Sequence, residues 1–518
     1  MMHQQVMSKL AILLVLSLIT GAGVSRADVR LAPVFTAHMV LQRDKTLPVW
    51  GEAKPDALIS VTFAGNTHSG RADALGHWKV IMSRQSANAT GRDLVVSGDG
   101  PTLTISDVLV GEVWVCAGQS NMEFPLKNEV TAKEALAGAD NSLLRLDLWH
   151  YRSQYVYNSP FTPVQVEGLD AQRFYEGSWA PSTAESAREF SAIGYFFGRQ
   201  LQQKLGVPVG VISLAAGGSP TEAWMQRELL AQTPELAPIV AGNWLENPAL
   251  DDWCRERGHQ NLDKPLADKL AVPTDDLGPN HAFKPTFLWQ TGIARLIPFA
   301  MRGVLWYQGE SNSLELRRIL QHEQLFPRLV RDWRAQWGEG DFPFYFAQLS
   351  GIETTSYKSQ FWPQFRDGQR RFGNTLPNAA SVVTSDLGAR NNVHPTNKHT
   401  VGERFARVAL AKTYGQIIEW SGPVPRSLGV RENQLVVSFD HAQGMAAKNG
   451  EALRGFQIAG ADGQFSDATS RIVGNTVVLE NGGVPQPRQV RYAWQPFPDA
   501  NLENGDGLPA STFQLSLP

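Results

Sequence analysis

A chain of 518 residues with 42% apolar composition is several times longer than one domain requires, so two or three separate cores are expected and a disordered scaffold is excluded. Forty-seven Lys and Arg stand against 50 Asp and Glu without long runs, which removes any electrostatic reason to expect a nucleic-acid partner or an acidic membrane surface. Two cysteines, Cys116 and Cys254, do not make a disulfide framework.

Residues 1–27 read as an export signal: Lys9 closes a short n-region, "LAILLVLSLITGAG" is its apolar stretch, and Ser25 and Ala27 are the small residues of a cleavage site before Asp28. No later stretch approaches about 18 unbroken apolar residues, so no membrane span is expected and the mature chain is expected to be secreted or periplasmic. From 28 to 108, short β-branched runs ("LPVWGEA", "ALISVTFAG", "GHWKVIMS", "RDLVVSG", "PTLTISDVLVG") alternate with Gly, Asp and Pro turns. This predicts an antiparallel, sandwich-like unit.

Over 109–420 the pattern becomes strand, Gly-containing turn and amphipathic helix. Strands are expected at 112–117, 209–215, 302–307, 342–349 and 381–385. Helices are expected where Ile193, Phe197, Leu201 and Leu205, and later Val401, Phe405, Val408 and Ala409, recur on one face. Apolar strands separated by helices predict an α/β fold with a parallel sheet covered on both sides. The Pro-, Asn- and Asp-rich stretch 232–282 reads as a long excursion, and Cys254 falls in it, while Cys116 reads as a small buried residue of the opening strand. A second β-rich unit is expected over 421–518, from "QLVVSFD", "GFQIAG", "NTVVLE" and "QVRYAW".

Ligands of open parallel sheets sit beyond the carboxyl ends of the strands. The segments just past those ends are "GQSNME" (118–123), "AGGSPTEAW" (216–224), "QGESN" (308–312) and "DLGARNNVHP" (386–395), and they contain the parts of an acyl-transfer site. Ser120 is a hydroxyl on a tight turn. Gly217 and Gly218 permit close backbone approach for an oxyanion donor, to which Gln308 or Asn312 could add an amide. His394 is the one His of these turns outside an expected helix, and so the best base. Metal and nucleotide motifs are absent, so neither a metal nor another cofactor is expected. Met122 stands where a lipase-type GxSxG elbow needs its second Gly.

At these residues the chain resembles a known family. "MVLQR" (39–43), "GEVWVCAGQSNME", "FSAIGYFFGRQL" (190–201), "GGSPTEAW", "IPFAMRGVLWYQGESN" (297–312) and "VHPTNKHTVGERFA" (393–406) resemble, in order, the motifs of sialate O-acetylesterase-like carbohydrate esterases of the SGNH hydrolase superfamily. The resemblance implies a flavodoxin-like esterase domain beside β-rich accessory domains, no metal, and removal of acetyl groups from sugar hydroxyls. It implies Ser120 as nucleophile, His394 as base, and Gly218 with Gln308, or failing that Asn312, as oxyanion donors. The family commonly carries Asp two residues before the His, where this chain has Asn392. His394 is therefore expected to be oriented by a backbone carbonyl, by Asn392, or by a carboxylate from Asp386 or Glu310. Acetylated hemicellulose-type saccharides or O-acetyl sialic acid are the expected substrates. The alternative is a weak or inactive sugar-binding protein on an esterase scaffold.

Overall fold

In the computed structural model, which describes residues 28–518, the long strand Leu103–Gly118 is the axis of the molecule. Its first residues alternate between half-buried and exposed and pair antiparallel with Asn88–Ser97. From Val108 onward every residue is buried, and the strand runs parallel between Val209–Ser213 and Gly303–Tyr307. Alternation suits a sheet with one wet face, and unbroken burial suits a sheet covered on both. The boundary expected at 108/109 is thus a change of pattern inside one strand, with no linker. The expected export signal lies outside the described residues, among which no helix is long and apolar enough to cross a membrane.

The main sheet has the order Trp179–Ser182, Asn141–Leu148, Val209–Ser213, Leu103–Gly118, Gly303–Tyr307, Phe344–Ala347, Ala379–Val382. All neighbours are parallel except the antiparallel first pair. Asn141–Leu148 is a strand that the apolar pattern does not announce, because Arg145 and Asp147 interrupt it. Both are buried. Arg145 donates to the Asp107 carboxylate at 2.6 Å, and Asp147 accepts the Trp149 indole N–H at 2.9 Å, its carboxyl pushed up to about 8 by burial.

Successive residues of the central strand face opposite cores, as the pleat requires. Trp114 and Cys116 pack with Ile193, Phe197 and Leu201 of the helix Ala192–Leu205 and with Val401, Phe405, Val408 and Ala409 of His399–Lys412. Val113 and Val115 pack on the other side, with Leu325, Leu329, Val330 and Trp333 of Leu316–Trp337. Helices on both faces make this an α/β fold, and most of the tryptophans are spent inside it, Trp114, Trp224, Trp306 and Trp333 among them.

The stretch 232–282 is more ordered than its composition suggests. It contains the helix Asp252–Ala267, whose first turn is capped by the Asp251 carboxylate on the Trp253 N–H, and it buries Trp244, Leu250, Cys254 and Leu262. Cys254 therefore lies on a helix; both cysteines are free and buried.

The two β-rich ends differ. The expected N-terminal strands form as Leu47–Glu52, Leu58–Phe63, His77–Met82 and Asn88–Ser97, joined by Asn66–Arg71, a polar hairpin arm with no apolar alternation to betray it. Their core residues Val49, Val61 and Val80 belong to the same continuous cluster as Val113 and Val304 of the main sheet. At the C-terminal end, one sheet (Val424–Arg431, Gln434–Asp440, Thr476–Glu480, Thr469–Val473) faces another (Ser466–Asp467, Phe456–Ala459, Gln489–Tyr492, Phe513–Ser516). They enclose a separate core of Leu435, Val437, Phe439, Ile458, Val490 and Phe513.

Candidate active site

The four turns meet at the carboxyl edge of the main sheet, tied by side chains. Gly118 ends the central strand at φ 129°, where a Cβ would stand 2.2 Å from the Tyr307 carbonyl oxygen of the neighbouring strand, so only glycine fits. Gln119 then accepts the Gly309 N–H at 3.2 Å, and Ser311 donates its hydroxyl to the Gly218 carbonyl at 2.8 Å. Asn121 donates to the Val393 carbonyl at 3.1 Å. The result is that Ser120, first residue of a one-turn helix, lies 2.8 Å through Oγ from Nε2 of His394.

Both side chains are half-buried and line a cleft of about 580 Å³ with Glu123, Phe124, Lys127, Trp149, Tyr151 and Ala215. Burial, and secondarily the Lys398 charge, pull His394 down from 6.5 to about 4. The imidazole is therefore neutral above that pH and free to accept a proton. Glu123, one turn past Ser120, moves the other way, to about 7, because desolvation outweighs its bonds from the Gly217 N–H and the Tyr151 hydroxyl. A Cβ on Gly217 would stand 2.8 Å from the Glu123 carboxyl and 3.5 Å from Ser120 Cβ, so this glycine is what allows the backbone to border the hydroxyl.

Gly218 takes the left-handed conformation at φ 74°, and the space its side chain would need is filled by Phe283 and Trp253. Gln308 and Asn312 are not where the sequence analysis expects them. Both amides are buried and turned away from the cleft. Gln308 gives its hydrogens to Asn312 Oδ1 at 2.6 Å and the Ser219 carbonyl at 3.3 Å, and accepts the Thr221 hydroxyl at 2.7 Å. Asn312 donates to Glu222 at 3.0 Å, and Glu222 is ion-paired with buried Arg318. Unpaired buried polar groups are costly, and this network gives these amides partners within the protein.

The possible orienting groups are also placed elsewhere. Asn392 Oδ1 accepts the backbone N–H of His394 at 2.9 Å, not the ring. Asp386 is held by both Arg404 amino groups at 2.7 Å. Glu310 accepts from Asn121 at 2.5 Å. Among the described residues, no carboxylate hydrogen-bonds the His394 ring, and Ser120 Oγ is its one side-chain partner. Asn121, Glu123 and Lys398 also border the pair, and their adjacency to Ser120 and His394 in the motifs "GQSNME" and "VHPTNKH" is the one sequence signal for them.

A strand-end serine hydroxyl within hydrogen-bond reach of a histidine ring is an arrangement chemically able to carry acyl transfer. Comparison with known proteins agrees. The family described as carbohydrate esterase, sialic acid-specific acetylesterase, matches residues 282–411. A crystal structure of a carbohydrate acetylesterase from Xanthomonas citri superimposes with a TM-score of 0.78 at 33% identity, covering 94% of this chain and 100% of that one. Sialate O-acetylesterase of Mus musculus is 26% identical over 506 residues (90% of each chain), and that of Homo sapiens 26% over 468 residues (83% of this chain, 80% of that one). The chain belongs to this sialate O-acetylesterase-like family of carbohydrate esterases, and it is an esterase.

Proposed function

We propose that the protein removes O-acetyl groups from carbohydrate through an acyl-enzyme formed by Ser120 and His394 acting as a dyad in an SGNH-type site. The observation that carries this reading is the 2.8 Å contact between Ser120 Oγ and His394 Nε2 inside an open cleft. With Nδ1 protonated, His394 Nε2 takes the hydroxyl proton as Oγ attacks the acetyl carbonyl. The backbone N–H groups of Ser120 and Gly218 face the developing oxyanion. The imidazolium then gives its proton to the sugar oxygen as the ester C–O bond breaks. Water, deprotonated by the same nitrogen, attacks the acetyl-serine and releases acetate.

Charge in the cleft favours neutral, hemicellulose-type saccharides as substrates. Lys127 is paired with Glu189 at 2.8 Å and the Glu123 carboxyl faces the same space, while Arg152, paired with Glu176 at 3.0 Å, and Arg173, 3.8 Å from Asp170, lie outside the lining. A sugar carboxylate would meet no guanidinium in the cleft lining, whereas half-buried Phe124 and Leu148 offer apolar surface to a sugar ring. O-acetyl sialic acid is the second reading, supported by the names of the relatives. The test is acetate release from acetylated xylan oligosaccharides and from O-acetyl sialic acid by the wild type and by Ser120→Ala. Faster release from the neutral substrate, abolished in the variant, is expected. Unchanged turnover in Ser120→Ala overturns the assignment, and sugar binding without acetate from any acetyl ester identifies an inactive scaffold.

A further inference from the structure

Among the described residues no carboxylate bonds the His394 ring, and the grip on this residue is on its backbone. The peptide joining Val393 to His394 is bound at both polar ends: Asn392 Oδ1 accepts its N–H at 2.9 Å, and Asn121 Nδ2 donates to its carbonyl at 3.1 Å. Asn121 follows Ser120 directly, so one side-chain amide spans the chain segments that carry the two reacting groups. The orientation of that amide is itself determined. Lys398 Nζ donates to its oxygen, and its second N–H goes to Glu310 Oε1, each at 2.5 Å. An amide can present either end, but with an ammonium at one and a carboxyl at the other only one orientation is satisfied. Asn121, Glu310 and Lys398 are all at most 1% exposed, and in such surroundings a satisfied polar network rigidifies what it touches.

We propose that Asn121, locked by Lys398 and Glu310, is the positioning residue that substitutes for the missing triad carboxylate, fixing the His394 loop to the Ser120 turn, while Lys398 adds a positive charge behind the base. The inference rests on Ser120 and His394 being the reacting pair. Charged groups face that pair from every neighbouring element: Glu123 from the Ser120 turn, the Lys127–Glu189 pair at the cleft rim, Glu129, Glu310, and Lys398 itself. Burial lowers Lys398 to about 7, so it is protonated in the acid range where His394 titrates. Its charge opposes the imidazolium there, and removing it must move the acid limb of activity to higher pH.

The experiment measures kcat, KM and the pH profile of kcat/KM with 4-nitrophenyl acetate for Asn121→Ala, Lys398→Met, Lys398→Arg and the charge-balanced pair Lys398→Met with Glu310→Gln, each checked for folding by urea denaturation. Expected are a kcat about 100-fold lower in Asn121→Ala, the loss that small misplacement of a reacting group brings, with KM little changed. The acid limb shifts to higher pH in Lys398→Met, and Lys398→Arg restores it. Folded Asn121→Ala with wild-type kcat, or an unmoved acid limb in Lys398→Met, overturns the proposal. Where Asn121→Ala does not fold, the charge-balanced pair decides, since it leaves the amide present but unlocked; wild-type kcat and pH profile there overturn it. Ser120→Ala runs alongside: activity surviving in it removes the dyad reading, whereas an inactive Ser120→Ala beside a fully active Asn121→Ala removes only the clamp.

Discussion

Two buried polar clusters flank the same turn, 308–312, and they are built differently. On one side Gln308 and Asn312 join Thr221, Glu222 and Arg318, with the guanidinium and carboxylate in direct contact. On the other, Glu310 and Lys398 are separated by the Asn121 amide, which also reaches the His394 loop. A directly neutralised pair holds its two charges against each other and ties in the amide beside it. A pair bridged by an amide fixes that amide, and through it a third element. Neighbouring positions of one turn are therefore committed differently: Gln308 and Asn312 bond into the Glu222 network, and Glu310 between them bonds Asn121.

That contrast is broken or sharpened by substitutions on either side. His394→Ala, which touches the reacting atoms, is expected to lower kcat by about 10⁶-fold with no change in the urea midpoint; a fall in both would mean that the cleft and the scaffold are one cooperative unit. Glu222→Ala leaves Arg318 buried and unpaired, and is expected to cost about 3–5 kcal/mol of stability in chemical denaturation while the folded enzyme keeps most of its activity. Gln308→Ala is expected to cost about 1–3 kcal/mol, with kcat falling by less than the roughly 100-fold that marks loss of an oxyanion donor. A loss of 100-fold or more in kcat with unchanged stability would return Gln308 to the oxyanion hole.

The smallest effects concern pH. Because burial holds His394 near 4, protonation of the base is confined to strongly acid solution, and kcat/KM is expected to stay level down the weakly acid range and to fall only as pH drops through about 4. Asn392→Asp places a carboxylate beside the His394 backbone N–H and favours the imidazolium. The acid limb should then move to higher pH, whereas Asp386→Asn, which only breaks the pair with Arg404, should leave it where it is. A pH–rate profile with the order reversed would make Asp386 the orienting group.

Much of this site is legible from sequence because strand ends in a parallel sheet converge: the turns at Ser120, Gly218, Ser311 and His394 do meet. The helix faces are legible for a similar reason, since Ile193, Phe197, Val401 and Phe405 repeat at the spacing that buries them. What the pattern hides is side-chain direction within a turn. Gln308 and Asn312 have the right chemistry for an oxyanion donor, and their bonds to Ser219, Thr221 and Glu222, on a turn distant in sequence, account for the way they face. Arg145 and Asp147 mask the strand Asn141–Leu148 in the same way, because their partners Asp107 and Trp149 make burial tolerable.

The strand Leu103–Gly118 begins in the N-terminal sheet and ends at the turn that presents Ser120. A shift of one residue in its pairing would exchange the residues facing the two cores along its whole length. The two ends of the protein are consequently unequal as parts for exchange. The C-terminal sheets have a core of their own and meet the rest of the protein through contacts such as that of the Gln348 amide with the Ser511 hydroxyl at 2.7 Å. The N-terminal sheet shares both a strand and a core with the α/β unit, so it cannot be exchanged without altering the strand that ends at the Ser120 turn.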